Sequence, residues 1–185
     1  PYHRALIHME LIVPKEDQGV FADRYQVIPR TLIFITCGDS VLLLKGKSTK
    51  RLWANLYNGI GGHIEKGEDV LSAAYRELLE ETGLIDVRLR LVSTIIVDAE
   101  RTTGIAIYVF RGEAAEMKIN QSPEGTLEWI KFDQVDQIPL VEDLPVLLPL
   151  VLKAPANSPL YFGLYSYNAE GEMEIRFIPE DYALA

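Results

Sequence analysis

The sequence predicts an α/β fold in which strands and helices alternate along one domain. Apolar, β-branched runs at residues 30–36, 41–45 and 87–97 indicate strands of a sheet. Between them, segment 70–82 lacks Gly and Pro and is rich in Ala, Leu and Glu, which predicts a helix of about three and a half turns. A second helical segment follows at residues 142–153. A chain of 185 residues is long enough to bury one substantial core.

The helix predicted at residues 70–82 carries its own start and stop signals. Asp69 precedes it as an N-cap, and Gly83 follows it as the residue that most readily adopts a left-handed C-cap. Four apolar residues recur at helical spacing and predict the buried stripe of this helix: Leu71, Ala74, Tyr75 and Leu78.

Three glutamates occupy another face of the same helix. Glu77, Glu80 and Glu81 stand at i, i+3 and i+4, so their carboxylates point toward one small volume. Most glutamate-rich helix faces are simply solvated, yet like charges at this spacing repel by roughly a few tenths of a kcal/mol per pair. Arg76, four residues before Glu80, offsets part of that repulsion. A hard divalent cation such as Mg²⁺ or Mn²⁺ would turn the repulsion into binding.

The loop before this helix offers further contacts. Gly61 and Gly62 have no side chain to keep a ligand from the backbone, so Gly62 is a candidate substrate contact. The polar loop 63–68 can bring Glu68 toward the helix. Together the segment predicts a site for phosphate groups and metal.

Composition and charge restrict the partners. A formal net charge of -9 argues against a nucleic-acid polymer, because binding one requires many Lys and Arg side chains on phosphates. Cys37 is the single cysteine, which favours a reducing compartment. Residues 1–20 lack the apolar core of a signal peptide, and the longest apolar run, 144–152, is too short to span a bilayer. We expect a soluble, cytoplasmic protein that acts without a membrane.

Residues 62–84 match a known family pattern at every fixed position. They read GHIEKGEDVLSAAYRELLEETGL, which is G-x5-E-x7-R-E-U-x-E-E-x-G-U with U a bulky aliphatic residue. This pattern is the Nudix box, and the chain resembles Nudix hydrolases. The resemblance implies an α/β/α sandwich with a mixed sheet, in a single domain 1–185 whose core covers about residues 30–153 between extensions 1–29 and 154–185.

The same resemblance implies roles for individual residues. The expected ligands of Mg²⁺, with Mn²⁺ as an alternative, are Gly61, Glu68, Glu77, Glu80 and Glu81. Arg76 is expected to orient Glu77 by charge-assisted hydrogen bonds. Nudix enzymes often take one more metal-binding glutamate from a later loop. Glu124 matches that position by pattern, Glu128 is its rival, and the general base is either Glu77 or Glu124.

The residues just before the box indicate which class of substrate the protein hydrolyses. NGIGG at positions 58–62 has Ile60 where many Nudix proteins have Pro, and it resembles the MutT-type branch that hydrolyses oxidised purine nucleoside triphosphates. In that branch the equivalent Asn meets the purine edge, which makes Asn58 a candidate for base recognition. The alternative is that Asn58 and Gly59 only form a turn.

The start of the predicted helix 142–153 is a second candidate for base recognition. Carboxylates at this place bind the base in the purine-specific branch, which makes Glu142 or Asp143 the partner of Asn58. The paired aspartates of that branch are absent here, so we favour a capping role for Asp143. Pro149 is expected to kink or shorten the helix.

Both ends of the chain carry alternating apolar residues outside the usual Nudix core. Residues 7–13 predict an extra N-terminal strand, and residues 161–167 and 173–178 predict a C-terminal β-hairpin. We expect these segments to form an added small sheet or the contact of a homodimer.

The sequence therefore predicts a Mg²⁺-dependent hydrolase of a small nucleotide, such as an 8-oxo-dGTP-like triphosphate, that gives a nucleoside monophosphate and pyrophosphate. One alternative is an ADP-ribose or dinucleoside polyphosphate hydrolase, although the Pro or Tyr typical of those enzymes is absent around residues 99–102. The other is a non-catalytic nucleotide-binding module, although every carboxylate of the box is present.

Overall fold

The computed structural model describes residues 19–49, 52–120, 122, 124–155 and 157–179. It confirms a mixed sheet with two helices, and the strand predicted at residues 7–13 lies outside the described residues. The elements are β1 Gln26–Cys37, β2 Ser40–Gly46, β3 Tyr57–Asn58, α1 Val70–Thr82, β4 Arg90–Val97, β5 Thr103–Glu113, β6 Gly125–Lys131, α2 Leu144–Lys153, β7 Tyr161–Tyr167 and β8 Met173–Pro179.

The strands form one eight-stranded sheet in the order β3-β2-β1-β5-β4-β7-β8, with β6 paired to β2. Strands β1 and β5 run parallel over eleven register pairs from Gln26 to Thr36, and β4 and β7 are also parallel. The other pairings are antiparallel, including the β1–β2 hairpin that the sequence predicts.

Strand β1 has a helix on each of its faces. Leu32 and Phe34 belong to the core cluster that contains the apolar residues of α2. Ile33 and Ile35 belong to the opposite cluster, which contains Ala74 and other residues of α1. Because successive strand residues point to opposite faces, the apolar run of β1 fills both layers of an α/β/α sandwich.

Helix α1 begins and ends as the sequence predicts. The Asp69 side chain accepts hydrogen bonds from two backbone N–H groups of the first turn, and Gly83 closes the helix with φ 75°. The predicted stripe is half correct, because Leu71 and Tyr75 are 40% and 37% exposed. The buried face of α1 is displaced from that stripe and consists of Ala73, Ala74, Leu78, Glu81 and Thr82. Tyr75 instead accepts a hydrogen bond from the Leu89 N–H, ahead of β4.

Helix α2 begins two residues later than predicted, at Leu144. Asp143 stands at the N-cap position, as predicted, but its side chain makes no capping hydrogen bond. Pro145 stands in the first turn, where a missing N–H costs nothing. The helix continues through Pro149 to Lys153. No helix in the described ranges is long and apolar enough to cross a membrane.

The C-terminal hairpin β7–β8 extends the main sheet through the β4–β7 pairing. It packs on the core rather than forming a separate small sheet. Tyr165 is 1% exposed and belongs to the α2-side core cluster. Its ring meets that of Phe177 edge to face, with centroids 5.8 Å apart. The hairpin therefore belongs to the same packed unit as the rest of the sheet.

Deletion of residues 159–185 should destabilise the whole domain, because it uncovers the β4 edge and removes Tyr165 from the core. Loss of one large aromatic side chain alone costs about 3–5 kcal/mol, so we expect Tm to fall by roughly 10 °C. Thermal unfolding followed by circular dichroism measures this. An unchanged Tm would show that the hairpin folds independently of the core.

Candidate active site

Arg76 of α1 is the centre of the acidic cluster. Its Nε donates to Glu68 at 2.7 Å, and its Nη1 donates to Glu77 at 2.8 Å and to Glu80 at 3.1 Å. Its Nη2 donates to the other Glu68 oxygen and to the His63 carbonyl, each at 3.0 Å. One guanidinium thus joins the loop before α1 to two successive turns of the helix.

The charges in this cluster stabilise one another. Hydrogen bonds to Glu68 and Glu77 raise the pKa of Arg76, which stays protonated. The Arg76 guanidinium, together with the Glu65 N–H, lowers the pKa of the Glu68 carboxyl. The Glu68 carboxylate therefore remains charged beside its arginine.

The three box glutamates of α1 differ in exposure. The Glu80 side chain is 57% exposed, that of Glu77 is 14% exposed, and Glu81 is 3% exposed. In the part of the chain that is described, no three Asp, Glu, His or Cys side chains are grouped so that they could hold a metal ion. Arg76 accounts for this, because it draws Glu68, Glu77 and Glu80 to itself. The donors are nonetheless carboxylate oxygens, the type that hard divalent cations prefer.

Two glycines bring the backbone close to both the sheet and the cluster. Gly61 has φ 143°, and a Cβ there would collide with the Thr31 carbonyl. The Gly62 carbonyl accepts from the Thr31 N–H at 2.9 Å. A Cβ on Gly62 would lie 2.5 Å from Glu77 Oε1. The Glu77 carboxylate therefore lies directly against the backbone at Gly62, which a side chain there would prevent.

A cleft of about 300 Å³ opens beside these glycines. It brings together five residues that the sequence singles out: Asn58, Gly61, Gly62, Glu124 and Asp143. Its other lining residues are Arg30, Thr31, Leu32, Trp53, Gly59, His63 and Ile107. The remaining predicted site residues do not line it: Glu68, Arg76, Glu77, Glu80, Glu81 and Glu142. The cleft and the Arg76 cluster adjoin at Gly62.

Asn58 lies in strand β3 and pairs with Leu44 of β2. Its Oδ1 accepts a hydrogen bond from the Gly59 N–H at 2.8 Å. The interpretation of Asn58 and Gly59 as a turn is wrong, because the chain continues extended into the Ile60–Ile33 bridge. Asn58 is therefore held on a rigid part of the cleft wall.

The structure separates the two carboxylates ahead of α2. Glu142 is exposed and lies outside the cleft, whereas Asp143 is half-buried and lines it. Burial raises the pKa of Asp143, while the Tyr165 hydroxyl beside it opposes that shift. Asp143, which the sequence favours as a helix cap, is thus a desolvated carboxyl at the cleft wall.

The same distinction holds for the two rival glutamates near β6. Glu124 lines the cleft together with Gly61 and Gly62. Glu128 lies instead beside Tyr57, where burial and this carboxylate raise the pKa of the Tyr57 hydroxyl. Because Glu124 lines the cleft and Glu128 does not, Glu124 is the better candidate for the additional glutamate of the site.

Sequence reasoning missed Arg30. Its backbone pairs with His63, and its Nε is buried without a hydrogen bond to any described residue. Arg76 is occupied by carboxylates, whereas Arg30 has no ion pair with a described residue. The sequence feature that could have identified Arg30 is a charged residue at the start of a largely apolar run, RTLIFIT at residues 30–36.

Comparison with known proteins agrees with the box and the fold. The NUDIX domain family model matches residues 28–151. An oxidized purine nucleoside triphosphate hydrolase from Danio rerio is 30% identical over 124 residues, 66% of this chain and 78% of the relative. An NAD-capped RNA hydrolase, NudC, from Pectobacterium carotovorum is 28% identical over 68% of this chain, which spans 50% of that relative's length.

A solved structure gives the same result. The MutT mutator protein from Bacillus halodurans superposes with a TM-score of 0.67 at 26% identity, over 83% of this chain and 99% of that protein. The family model covers most of the sheet and both helices, and the complete box lies in its expected place on α1. The chain therefore belongs to the Nudix hydrolase family.

Proposed function

We propose that this Nudix hydrolase cleaves a purine nucleoside triphosphate of the oxidised type, such as 8-oxo-dGTP, to a nucleoside monophosphate and pyrophosphate. The observation that carries the proposal is the single cleft that joins Asn58 and Asp143 to the box glycines. An amide and a carboxyl in the cleft wall suit the hydrogen-bonding edge of a purine. The cleft adjoins the acidic cluster at Gly62. Similarity to the Danio rerio hydrolase supports the same substrate class.

The acidic cluster is proposed to hold Mg²⁺ or Mn²⁺ through Glu77, Glu80, Glu81, Glu68 and the Gly61 carbonyl. Such ions, when bound, neutralise phosphate charge and activate water. Glu77 and Glu80 would have to turn from Arg76 to take part, and Arg76 would still fix Glu68. The net charge of -9 favours a bridging cation between this protein and an anionic substrate.

Glu124 is the residue we propose to accept the proton of the attacking water. It lines the cleft, whereas Glu77 is bonded to Arg76 and lies behind Gly62. A general base must reach the reacting water, and the position of Glu124 in the cleft wall allows this.

Cleavage of a dinucleotide pyrophosphate is a second candidate. The NudC relative acts on NAD-capped RNA, and 28% identity to it motivates testing such substrates. A panel of oxidised and normal triphosphates, ADP-ribose and NAD, assayed with Mg²⁺, separates the two candidates by their kcat/KM.

Replacement of Glu80 tests the metal site. The side chain is 57% exposed, so Glu80→Gln should leave Tm unchanged while lowering activity by roughly 10- to 100-fold and raising the Mg²⁺ concentration needed for half-maximal turnover. The control is Glu170→Gln, at the exposed turn between β7 and β8. Full activity of Glu80→Gln, or undiminished wild-type turnover in excess chelator, would contradict the metal site.

Arg30 is proposed to bind a substrate phosphate, because its buried Nε has no hydrogen-bond partner among the described residues. Arg30→Gln removes a charge-assisted hydrogen bond, which costs about 1.5–3 kcal/mol, so KM for the triphosphate should rise roughly tenfold or more. Arg176→Gln on the exposed side of β8 is the matched control. Equal KM values for both variants would remove Arg30 from the site.

Asn58→Ala tests base recognition. A bidentate amide contact with a purine edge discriminates by about 1–3 kcal/mol, so kcat/KM for the oxidised purine should fall roughly ten- to a hundredfold. Hydrolysis of a pyrimidine triphosphate should change little. Equal losses on both substrates would mean that Asn58 only supports β3 through its bond to Gly59.

A further inference from the structure

We infer that Tyr165, on the C-terminal hairpin, is a positioning residue that fixes the Asp143 carboxylate at the wall of the cleft for recognition of the base. The inference deepens the proposed function and rests on it. Strand β7 lies beyond residues 28–151, the region that the family model matches. The hairpin would thus complete the base site of this chain.

Packing leaves the Tyr165 side chain no freedom to move. It is 1% exposed and lies edge to face against Phe177. Its backbone pairs with Val97 of β4 and Ile175 of β8, and its carbonyl accepts from the Asp98 N–H at 2.8 Å. The phenol ring is therefore held by two strands and the core.

Its hydroxyl is buried next to Asp143 and makes no hydrogen bond of good geometry with a described residue. A buried hydroxyl without a partner is rare and costs free energy, so such a group calls for an explanation. Asp143 is the acceptor beside it, and no capping bond holds the Asp143 side chain elsewhere. A hydrogen bond to that carboxyl group would satisfy the hydroxyl.

A phenol O–H that donates to one carboxylate oxygen leaves the second oxygen for the cleft. Guanine-type bases present N–H donors on their pairing edge, and a fixed acceptor binds them without the entropic cost of ordering a mobile side chain. Tyr165 would therefore act on substrate affinity, through Asp143, and not on the chemical step.

The Asp143 carboxyl has other charged or titratable neighbours. Among the described residues these are Glu142 on its own segment, Tyr165 from β7, and Arg30, His63 and Glu124, which line the same cleft. Burial raises the Asp143 pKa, its own backbone N–H and the Tyr165 hydroxyl oppose this, and Glu142 adds a smaller increase. Loss of the hydroxyl alone should therefore raise the Asp143 pKa further.

Tyr165→Phe is the test variant, because it keeps the ring and its contact with Phe177 and removes only the oxygen. Tyr167→Phe, on the same strand with a 45% exposed side chain, is the control. We expect Tyr165→Phe to raise KM for the oxidised purine triphosphate by roughly three- to tenfold with little change in kcat, and to affect a pyrimidine triphosphate less. Tyr167→Phe should match the wild type.

A second readout needs neither substrate nor metal. The ¹³Cγ signals of labelled aspartates are followed by NMR against pH, and Asp143→Asn assigns the relevant signal. The wild type should show Asp143 titrating above the usual range, Tyr165→Phe should move it higher, and Tyr167→Phe should leave it in place.

Three results would overturn the inference. An Asp143 titration unaffected by Tyr165→Phe would show that the two groups are not paired. A shifted titration with an unchanged purine KM would show a purely structural pair. If Asp143→Asn itself leaves purine preference intact, base recognition by Asp143 fails, and with it that part of the proposed function, whatever the NMR titration shows.

Discussion

The ion-paired guanidinium of Arg76 is the interaction on which the rest of the site depends. Three glutamates within reach of one another would repel and loosen the loop before α1, but Arg76 binds Glu68, Glu77 and Glu80 at 2.7–3.1 Å. The loop and the helix consequently form one body. Because these side chains are partly exposed, water and salt screen the pairs, and their value lies in positioning more than in stability.

Strand β1 connects that acidic cluster to the cleft. Its interior residues fill both layers of the core, while its first half receives the Gly61–Gly62 segment through the bond from the Thr31 N–H to the Gly62 carbonyl. Only residues without Cβ allow this approach at both positions. The sheet thereby places the Arg76 cluster on one side of the glycines and the cleft lined by Asn58 and Asp143 on the other.

The cleft draws on parts of the chain that are far apart in sequence. Asn58 comes from β3, Glu124 precedes β6, and Asp143 precedes α2. Asp143 in turn meets Tyr165 on a hairpin outside the matched family region. The hairpin therefore packs behind a residue that lines the cleft without lining the cleft itself.

The sequence by itself determined what depends on local spacing. Helix α1, its Asp69 and Gly83 caps, the β1–β2 hairpin and the contacts of Glu77 and Glu80 with Arg76 all follow from neighbours within a few residues. Tertiary structure alone decided which candidates meet: it placed Asp143 and Glu124 at the cleft and left Glu142 outside. It also exposed Leu71 and Tyr75 and left the Arg30 Nε buried with no hydrogen bond from the part of the chain that the structure describes. These outcomes depend on contacts between distant segments, and a pattern of local spacing carries no information about which distant side chains share one volume.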